Sequence, residues 1–521
     1  MALRYSSWWA LLLVLALSAC GSLPTGVQRP VSHSVRASPD ESPLARIAAD
    51  GLPPDAQSGF RLLPLGSYAL DARLALIGGA TRTLDVQYYI MENDASGRAV
   101  FRALEEAAGR GVRVRLLIDD FNSTGAEPLI EALSRVPNLE IRLFNPFCCA
   151  RTSLAGRVLT SLGDLPRLDH RMHNKLLIAD GALAIVGGRN IADDYFTRSP
   201  IANFVDLDAV VAGRVVPQLG VIFDRYWNSE ESFPAGLFSS QAVEPASRAA
   251  TLERLLPADA TRIPIELPDR DILGQEPVGK ELHERRLTLV PGLAYAVADQ
   301  PSKRLEDQEE LENSSLMTGA VFQMLGARSE LVVASPYLVP GKRGIAVLRS
   351  LQRKGVEVTL VTNSLPASDS AIVYFGYARY RPAILKSGVD LYELSAIAPR
   401  ESKTIFGGSS KGRLHAKLAV IDREVVLLGS LNLDPRSARK NTEVGVAVES
   451  PALAEQALRI VEAMKSEAYR VRQAPAGGGE LAWAPPDAAD DDETLDAEPG
   501  VSPLNTLQRL LLQPLVPEDY L

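Results

Sequence analysis

The sequence predicts an α/β protein of two pseudo-symmetric repeats, each a mixed, largely parallel β-sheet flanked by helices, with its functional site at the seam between them. Three observations point there. Apolar runs of strand length alternate with stretches of helical spacing. That rhythm occurs twice, and the same histidine-centred pattern follows each occurrence. Strand, helix and strand in succession imply βαβ units, because a parallel neighbour is reached only by a crossover over one face of the sheet.

In the first copy, Leu84-Asp85-Val86-Gln87-Tyr88-Tyr89-Ile90 reads as a buried strand. Val100, Leu104 and Ala107 then mark one face of a helix, and Arg110-Gly111-Val112-Arg113-Val114 leads into the strand around Leu116-Leu117-Ile118. The second copy repeats the order. Leu331 to Tyr337 is a strand, Ile345, Leu348 and Leu351 mark a helix, and Lys354-Gly355-Val356 leads into Leu360-Val361. A glycine at this point suits the residue just past a helix end, where the backbone turns left-handed.

The ends of the chain read differently. Arg4, the apolar run Trp8–Leu17 and Leu17-Ser18-Ala19-Cys20 have the form of a secretory leader, too short to span a membrane comfortably. The last four residues resemble the bacterial lipobox, which implies a lipid anchor on Cys20 and an exported lipoprotein facing the periplasm; Gly21, rather than an aspartate, favours the outer membrane. The expected divisions are a leader (1–20), a flexible tether (21–58), a first repeat (59–250), a connection (251–310), a second repeat (311–473), an acidic Pro/Ala-rich linker (474–502) and a C-terminal amphipathic segment (503–521).

Composition narrows the class. With 46% hydrophobic and 23% charged residues, most of the 521 residues should fold. Beyond Cys20 only the adjacent Cys148 and Cys149 remain, so no disulfide framework is expected. A net charge of −9 argues against nucleic acid as partner, since phosphate binding needs a concentrated basic surface.

The chemistry lies with two of the five histidines. His173-Asn174-Lys175 is followed by Asp180, and His415-Ala416-Lys417 by Asp422, at identical spacing. Five histidines among 55 basic and 64 acidic residues in 521 would give about 0.06 such matches by chance. Each copy continues through small residues to an amide, Asn190 in Gly187-Gly188-Arg189-Asn190 and Asn432 in Gly429-Ser430-Leu431-Asn432, and then to an acid, Asp206 or Glu443. His and Lys two apart on a strand share a face. Neutral imidazole can attack phosphorus, the ammonium and amide can hold the non-bridging oxygens, and a carboxylate can fix the imidazole tautomer. One histidine would attack while the other protonates the departing alcohol. No acidic metal cluster or Gly-rich phosphate loop is evident, so neither metal nor cofactor is expected.

The paired H-x-K-x4-D motifs, with G-G/S-x-N and a further acid after each, resemble the phospholipase D superfamily. Leu84–Ile90, Arg142–Phe147, Arg171–Lys175, Gly187–Asn190 and Gly376–Arg381 resemble its bacterial cardiolipin synthase C-like branch, and the likeness covers roughly residues 60 to 470. It implies the phospholipase D fold, with His173 as nucleophile and His415 as general acid and base, or the reverse. Lys175, Lys417, Asn190 and Asn432 would bind phosphate, and Asp206 and Glu443 would orient the imidazoles. Asp180 and Asp422 belong to the catalytic signature, although their distance from the lysines also suits packing or charge balance. Phospholipids are the implied substrates. Transfer of a phosphatidyl group to a second lipid, hydrolysis to phosphatidic acid and, less favoured, nuclease action all remain open, and the oligomeric state is unassigned.

Duller readings attach to the rest. His170 suits a structural histidine as well as the site, and His33 and His283 suit solvent. Tyr374, Phe375, Tyr377 and Tyr380 could line a lipid-binding mouth beside Arg379 and Arg381, or pack in a core.

Overall fold

Each βαβ unit turns at the glycine that its sequence places just past a helix end. The helix Ala95–Gly109 closes at Arg110, and Gly111 follows with φ +91°. Val112 N–H then returns to Ala107 O at 3.1 Å. In the second copy the helix Gly341–Arg353 closes at Lys354, Gly355 has φ +78°, and Val356 N–H returns to Leu351 O, also at 3.1 Å. A side chain at either glycine would strain a left-handed backbone.

The computed structural model describes residues 23–502 except 124, 152, 239–244, 262, 304–314, 397–410, 475–480 and 487–493. The leader with Cys20 and the amphipathic segment 503–521 lie outside the described residues.

In chain order the first repeat contributes β1 (Ser58–Leu63), β2 (Thr83–Tyr88), β3 (Arg113–Asp119), β4 (Leu139–Phe144), β5 (Leu176–Ala179), β6 (Leu183–Gly187), β7 (Ala202–Val205), β8 (Asp208–Gly213) and β9 (Ser232–Pro234). After β10 (Val290–Ala298), the second adds β11 (Glu330–Ala334), β12 (Glu357–Asn363), β13 (Asp390–Leu394), β14 (Lys411–Leu414), β15 (Leu418–Ile421), β16 (Val425–Gly429), β17 (Val444–Glu449), β18 (Ala468–Gln473) and β19 (Leu481–Ala484). The neighbours run β1-β8-β6-β5-β2-β3-β4-β9 in one repeat and β17-β16-β15-β11-β12-β13-β18-β19 in the other. β10 joins them, pairing with β1 through residues 290–292 and with β17 through residues 293–298.

The α/β class and the duplication are as the sequence predicts, and the sheet is mixed. Parallel pairing in the main sheet is confined to β2-β3-β4 and β11-β12-β13, where helices cross over. The remaining strands are antiparallel, because the short runs β5-β6 and β15-β16 are joined by tight turns that leave no room for a crossover. The helices Val215–Trp227 and Pro451–Lys465 bury their apolar faces in a core shared by both repeats, with Leu219, Phe223 and Trp227 from one and Ala457, Ile460 and Met464 from the other. Each fully buried leucine or isoleucine there contributes about 1.5–3 kcal/mol.

Two expectations are corrected. Residues 23–58 are packed, not a loose tether. Buried Arg115 donates to Ser32 O at 3.0 Å and Arg142 to Pro30 O at 2.8 Å, while Ala37 N–H pairs with Asp180 O at 2.8 Å. The helix Pro43–Asp50, capped by Ser42, adds Leu44 and Ile47 to the first repeat's core. The described part of 474–502 is likewise bound: Trp483 in β19 is buried and donates to Glu393 at 2.9 Å, and Glu498 pairs with Arg381 at 3.1 Å. Long-range polar contacts hold residues 23–37 and the described part of 474–502, while the short helix Pro43–Asp50 is held by its apolar face. Of the two readings open for the aromatic cluster, packing in a core is the one seen: Tyr374, Phe375 and Tyr377 are core residues, Tyr380 packs against that core, and Arg381 is paired with Glu393 at 2.9 Å.

Candidate active site

Both histidine motifs occupy extended lead-ins immediately before β5 and β15 rather than the strands themselves. The end of a central strand fixes each lead-in. Asp119, closing β3, accepts Met172 N–H at 2.8 Å and Arg171 Nη1 at 3.1 Å. Asn363, closing β12, holds Leu414 on both sides, accepting its N–H at 2.8 Å and donating to its carbonyl at 2.9 Å.

The repeats then exchange partners. β14 pairs in parallel with β7, outside the main sheet, and His415 N–H donates to Val205 O at 2.7 Å. Met172 bridges to Thr442, and His173 N–H donates to Thr442 O at 2.9 Å. The residues following Val205 and Thr442 are Asp206 and Glu443, so each acid is delivered to the other repeat's histidine. His415 Nδ1 lies 2.6 Å from Asp206 Oδ2, and His173 Nδ1 lies 2.9 Å from Glu443 Oε2. With Nδ1–H donating to a carboxylate, Nε2 carries a free lone pair when the ring is neutral and a second proton when it is charged.

The small residues of the G-G/S-x-N stretches fit this arrangement. A Cβ on Gly188 would stand 2.1 Å from Asp206 Oδ1. At the equivalent place in the second repeat, Ser430 fits and its hydroxyl donates to Glu443. Ser437 Oγ donates to the other Glu443 oxygen at 2.8 Å. Lys175 Nζ donates to His173 O at 2.7 Å and sits over the Tyr89 ring at 5.3 Å; Lys417 Nζ is 2.9 Å from His415 Nδ1. Asn190 is also in place, accepting Ile90 N–H at 3.2 Å and donating to Tyr195 at 2.9 Å, while Asn432 Oδ1 is buried without a hydrogen-bond partner.

Burial sets the electrostatics. It lowers the His173 imidazole well below its ordinary value, helped by the charges of Lys175, Lys417 and His415, so the ring is neutral at pH 7. His415 is also lowered by burial and Lys417, with Asp206 opposing. Burial pushes Glu443 up to about 7 and Lys417 down to about 8, and drives Lys175 well below its usual range. Asp206 stays lowered despite its burial, because His415 and Lys417 lie against it.

Asp180 and Asp422 stand apart from this cluster, at the far ends of β5 and β15. Asp180 accepts the backbone N–H groups of Thr81, Arg82 and Thr83 and the Ser42 hydroxyl. Asp422 does the same for Arg328, Ser329 and Glu330. Both have positive φ, 54° and 51°. They staple the turn ahead of β2 or β11 and touch neither imidazole; four intervening strand residues at about 3.3 Å each separate them from the lysines. This corrects their placement among the catalytic groups. His170 is structural, its ring nitrogens 2.7 Å from Lys440 O and 2.8 Å from Pro301 O. His33 and His283 are exposed.

Sequence reasoning missed the aromatic walls. Tyr89 stands edge-on to His173 at 5.1 Å, and Tyr195 and Phe204 flank His415 at 5.1 and 4.9 Å. Tyr89 was legible only as a strand residue, and nothing in the motif marked Tyr195 or Phe204. Among the described residues no group of three or more His, Cys, Asp or Glu is arranged to hold a metal ion.

The chain is similar to known proteins over most of its length. The family model described as cardiolipin synthase, PLD-like domain, matches twice, over residues 74–227 and 321–465, once per repeat. Cardiolipin synthase C of Escherichia coli K12 is 38% identical over 426 residues, covering 80% of this chain and 87% of its own. A cardiolipin synthase of Geobacillus kaustophilus is 27% identical over 411 residues, covering 78% and 66%. Phosphatidylserine synthase of Haemophilus influenzae has the same fold, with a TM-score of 0.58 at 11% identity over 92% of this chain and all of its own. The chain belongs to the cardiolipin synthase, PLD-like family of phospholipase D-type enzymes.

Proposed function

We propose that this protein is a phosphatidyltransferase that moves a phosphatidyl group from one phospholipid to a hydroxyl of another through a phosphohistidine, in the manner its relatives' name of cardiolipin synthase suggests. The observation that carries the reading is the crossed pairing, in which each imidazole takes its carboxylate from the opposite repeat and is left with Nε2 available. In the first step the His173 Nε2 lone pair forms a bond to phosphorus, the P–O bond to the first alcohol breaks, and His415, entering as an imidazolium with Nδ1–H on Asp206, gives that oxygen its Nε2 proton and is left neutral. In the second, His415 takes the proton from the acceptor hydroxyl, the new P–O bond forms and the N–P bond breaks. Neutral His173 suits the nucleophile, and at His415 the Asp206 carboxylate favours a proton against the opposing effects of burial and Lys417.

Lys175 and Lys417, with Asn190 and Asn432, would hold the non-bridging oxygens, and Asp206 and Glu443 act as positioning residues. Water in the acceptor's place gives phosphatidic acid by the same steps. A lipid-modified Cys20 would keep the enzyme where both lipids are concentrated. No helix among the described residues is long and apolar enough to cross a membrane, so an anchor outside them would complete this arrangement. The acidic chain favours lipid over nucleic acid as substrate.

Purified protein added to vesicles of phosphatidylglycerol and phosphatidylethanolamine should yield cardiolipin by mass spectrometry. Phosphatidic acid alone would mean hydrolysis. For the anchor, radioactive palmitate should label the wild type and not Cys20→Ala; equal labelling would refute it.

A further inference from the structure

The two repeats differ in one respect that their shared fold does not require. In the first, the space between the helix Gly66–Gly79 and the sheet is filled by charge. Arg73 pairs with Asp208 at 3.0 Å and donates to Tyr88 at 3.0 Å, and Arg189 reaches the same Asp208 carboxylate at 3.3 Å. All four side chains are at most 1% exposed. Counting from the histidine motif and the strand register, the positions of Arg189, Asp208 and Tyr88 hold Leu431, Gly445 and Ser335 in the second repeat. Val210 of the first core becomes Ala447.

The shortened side chains leave a cavity of about 320 Å³ beneath the helix Leu316–Leu325. Its walls are mainly apolar, with Leu316 and Met324 from the helix and Val333, Ala419, Leu427 and Ala447 from the sheet. Thr318, Gln323 and Ser335 add uncharged polar groups. At one point it reaches Lys417, the one charged residue among its described lining. Its other lining includes apolar groups open to solvent: Phe322 is 70% exposed, Tyr295 44% and Val297 39%.

We propose that this cavity receives one acyl chain of the phosphatidyl group, an assignment that rests on the transferase reading. The phosphorus held beside Lys417 is that of the transferred group, so the chains of that lipid, rather than those of the acceptor, lie within reach. An uncharged tail fits the lining, and solvent-exposed aromatic and aliphatic groups suit contact with a bilayer. The neighbouring segment 304–314 carries five acidic side chains and is chemically unsuited to the cavity. The enzyme would thus grip one tail through its second repeat only, the first being closed by its ion pairs.

The test uses the full chain in mixed vesicles containing phosphatidylglycerol with a diazirine at the end of one acyl chain. After irradiation, peptide mass spectrometry should place the label on residues 316–325 or on β16 and β17. Ala447→Phe fills the cavity from the sheet and Ala320→Phe from the helix; each should cut that labelling about ten-fold while short-chain dihexanoyl phosphatidylglycerol is still turned over. If one variant misfolds, the other carries the test. Label confined to other surfaces, as it would be if the chain's own C-terminal leucines filled the space, overturns the assignment, and so does label that survives both substitutions. Labelling is read without turnover, so a wild type that takes up label in the cavity yet transfers no lipid would strike the transferase reading alone.

Discussion

Glu443 and Lys417 govern how the site responds to pH. Glu443, raised to about 7 by burial, is protonated below that value and then cannot accept the His173 Nδ1 proton or, in the mechanism proposed above, stabilise the phosphorylated ring. Lys417, lowered to about 8 by burial, loses its charge above that value and with it the hold on phosphate oxygens that the proposed mechanism assigns to it. The kcat/KM profile should therefore rise through about pH 7 and fall through about pH 8. In Glu443→Gln the acid limb near 7 should vanish along with most of the rate; an unchanged limb would show that another group sets it. Asp422 behaves oppositely. Burial alone would raise it, but N–H donors from Ser329, Glu330 and Arg328 prevail and hold it well below the usual carboxylate range. Its contribution to stability is complete above the unfolded carboxylate value and is lost as pH falls through the lowered one. Asp422→Ala should cost about 1–3 kcal/mol in urea unfolding and leave turnover per folded molecule intact. A dead but fully stable variant would return Asp422 to the catalytic groups. At this scale the sequence was informative about which groups meet at the site, His173, His415 and the two acids among them. It was silent on the crossing of acids between repeats, because spacing along the chain does not say which strand lies opposite.

Among the elements, the lead-ins before β5 and β15 matter most, and each depends on a strand end some 50 residues distant, Asp119 for Met172 and Asn363 for Leu414. The strand–helix–strand units could be read directly, since apolar spacing and the glycines at 111 and 355 are local signals. The antiparallel hairpins β5-β6 and β15-β16 were legible as apolar runs but not as to direction, which depends on the turn between them. The first repeat's buried ions, Arg73, Asp208 and Arg189, are an element-level brace. Asp208→Ala leaves two arginines without their carboxylate and should destabilise the protein by about 3–5 kcal/mol, read as an earlier thermal or urea transition. A shift within about 0.5 kcal/mol would show that water reaches the site and the brace carries little.

For the whole molecule, duplication explains why neither half is sufficient. One sheet runs from β9 through β10 to β19, and the shared core draws on Trp227 from one repeat and Met464 from the other. Each repeat supplies a histidine and the acid for its counterpart, so separating the halves would strip both imidazoles of their carboxylates at once. The amino-terminal stretch escaped sequence reading as a folded part because buried arginines bind residues 23–37 and its one apolar face, on Pro43–Asp50, is only 8 residues long. Its run across the first repeat also means that deleting residues 23–37 should destabilise the domain rather than merely free it from a membrane.

The central claim is that the two imidazoles serve one phosphorus and that His173 carries the group between lipids. Mixing the enzyme with phosphatidylglycerol, quenching within a turnover and mapping peptides by mass spectrometry under alkaline conditions tests it most directly. A phosphatidyl adduct on the peptide containing His173 is expected, absent from His173→Ala, with turnover in His173→Ala and His415→Ala reduced by about 10³-fold or more in proteins that unfold like the wild type. Full turnover by His173→Ala, or an adduct found on His415 instead, would contradict it.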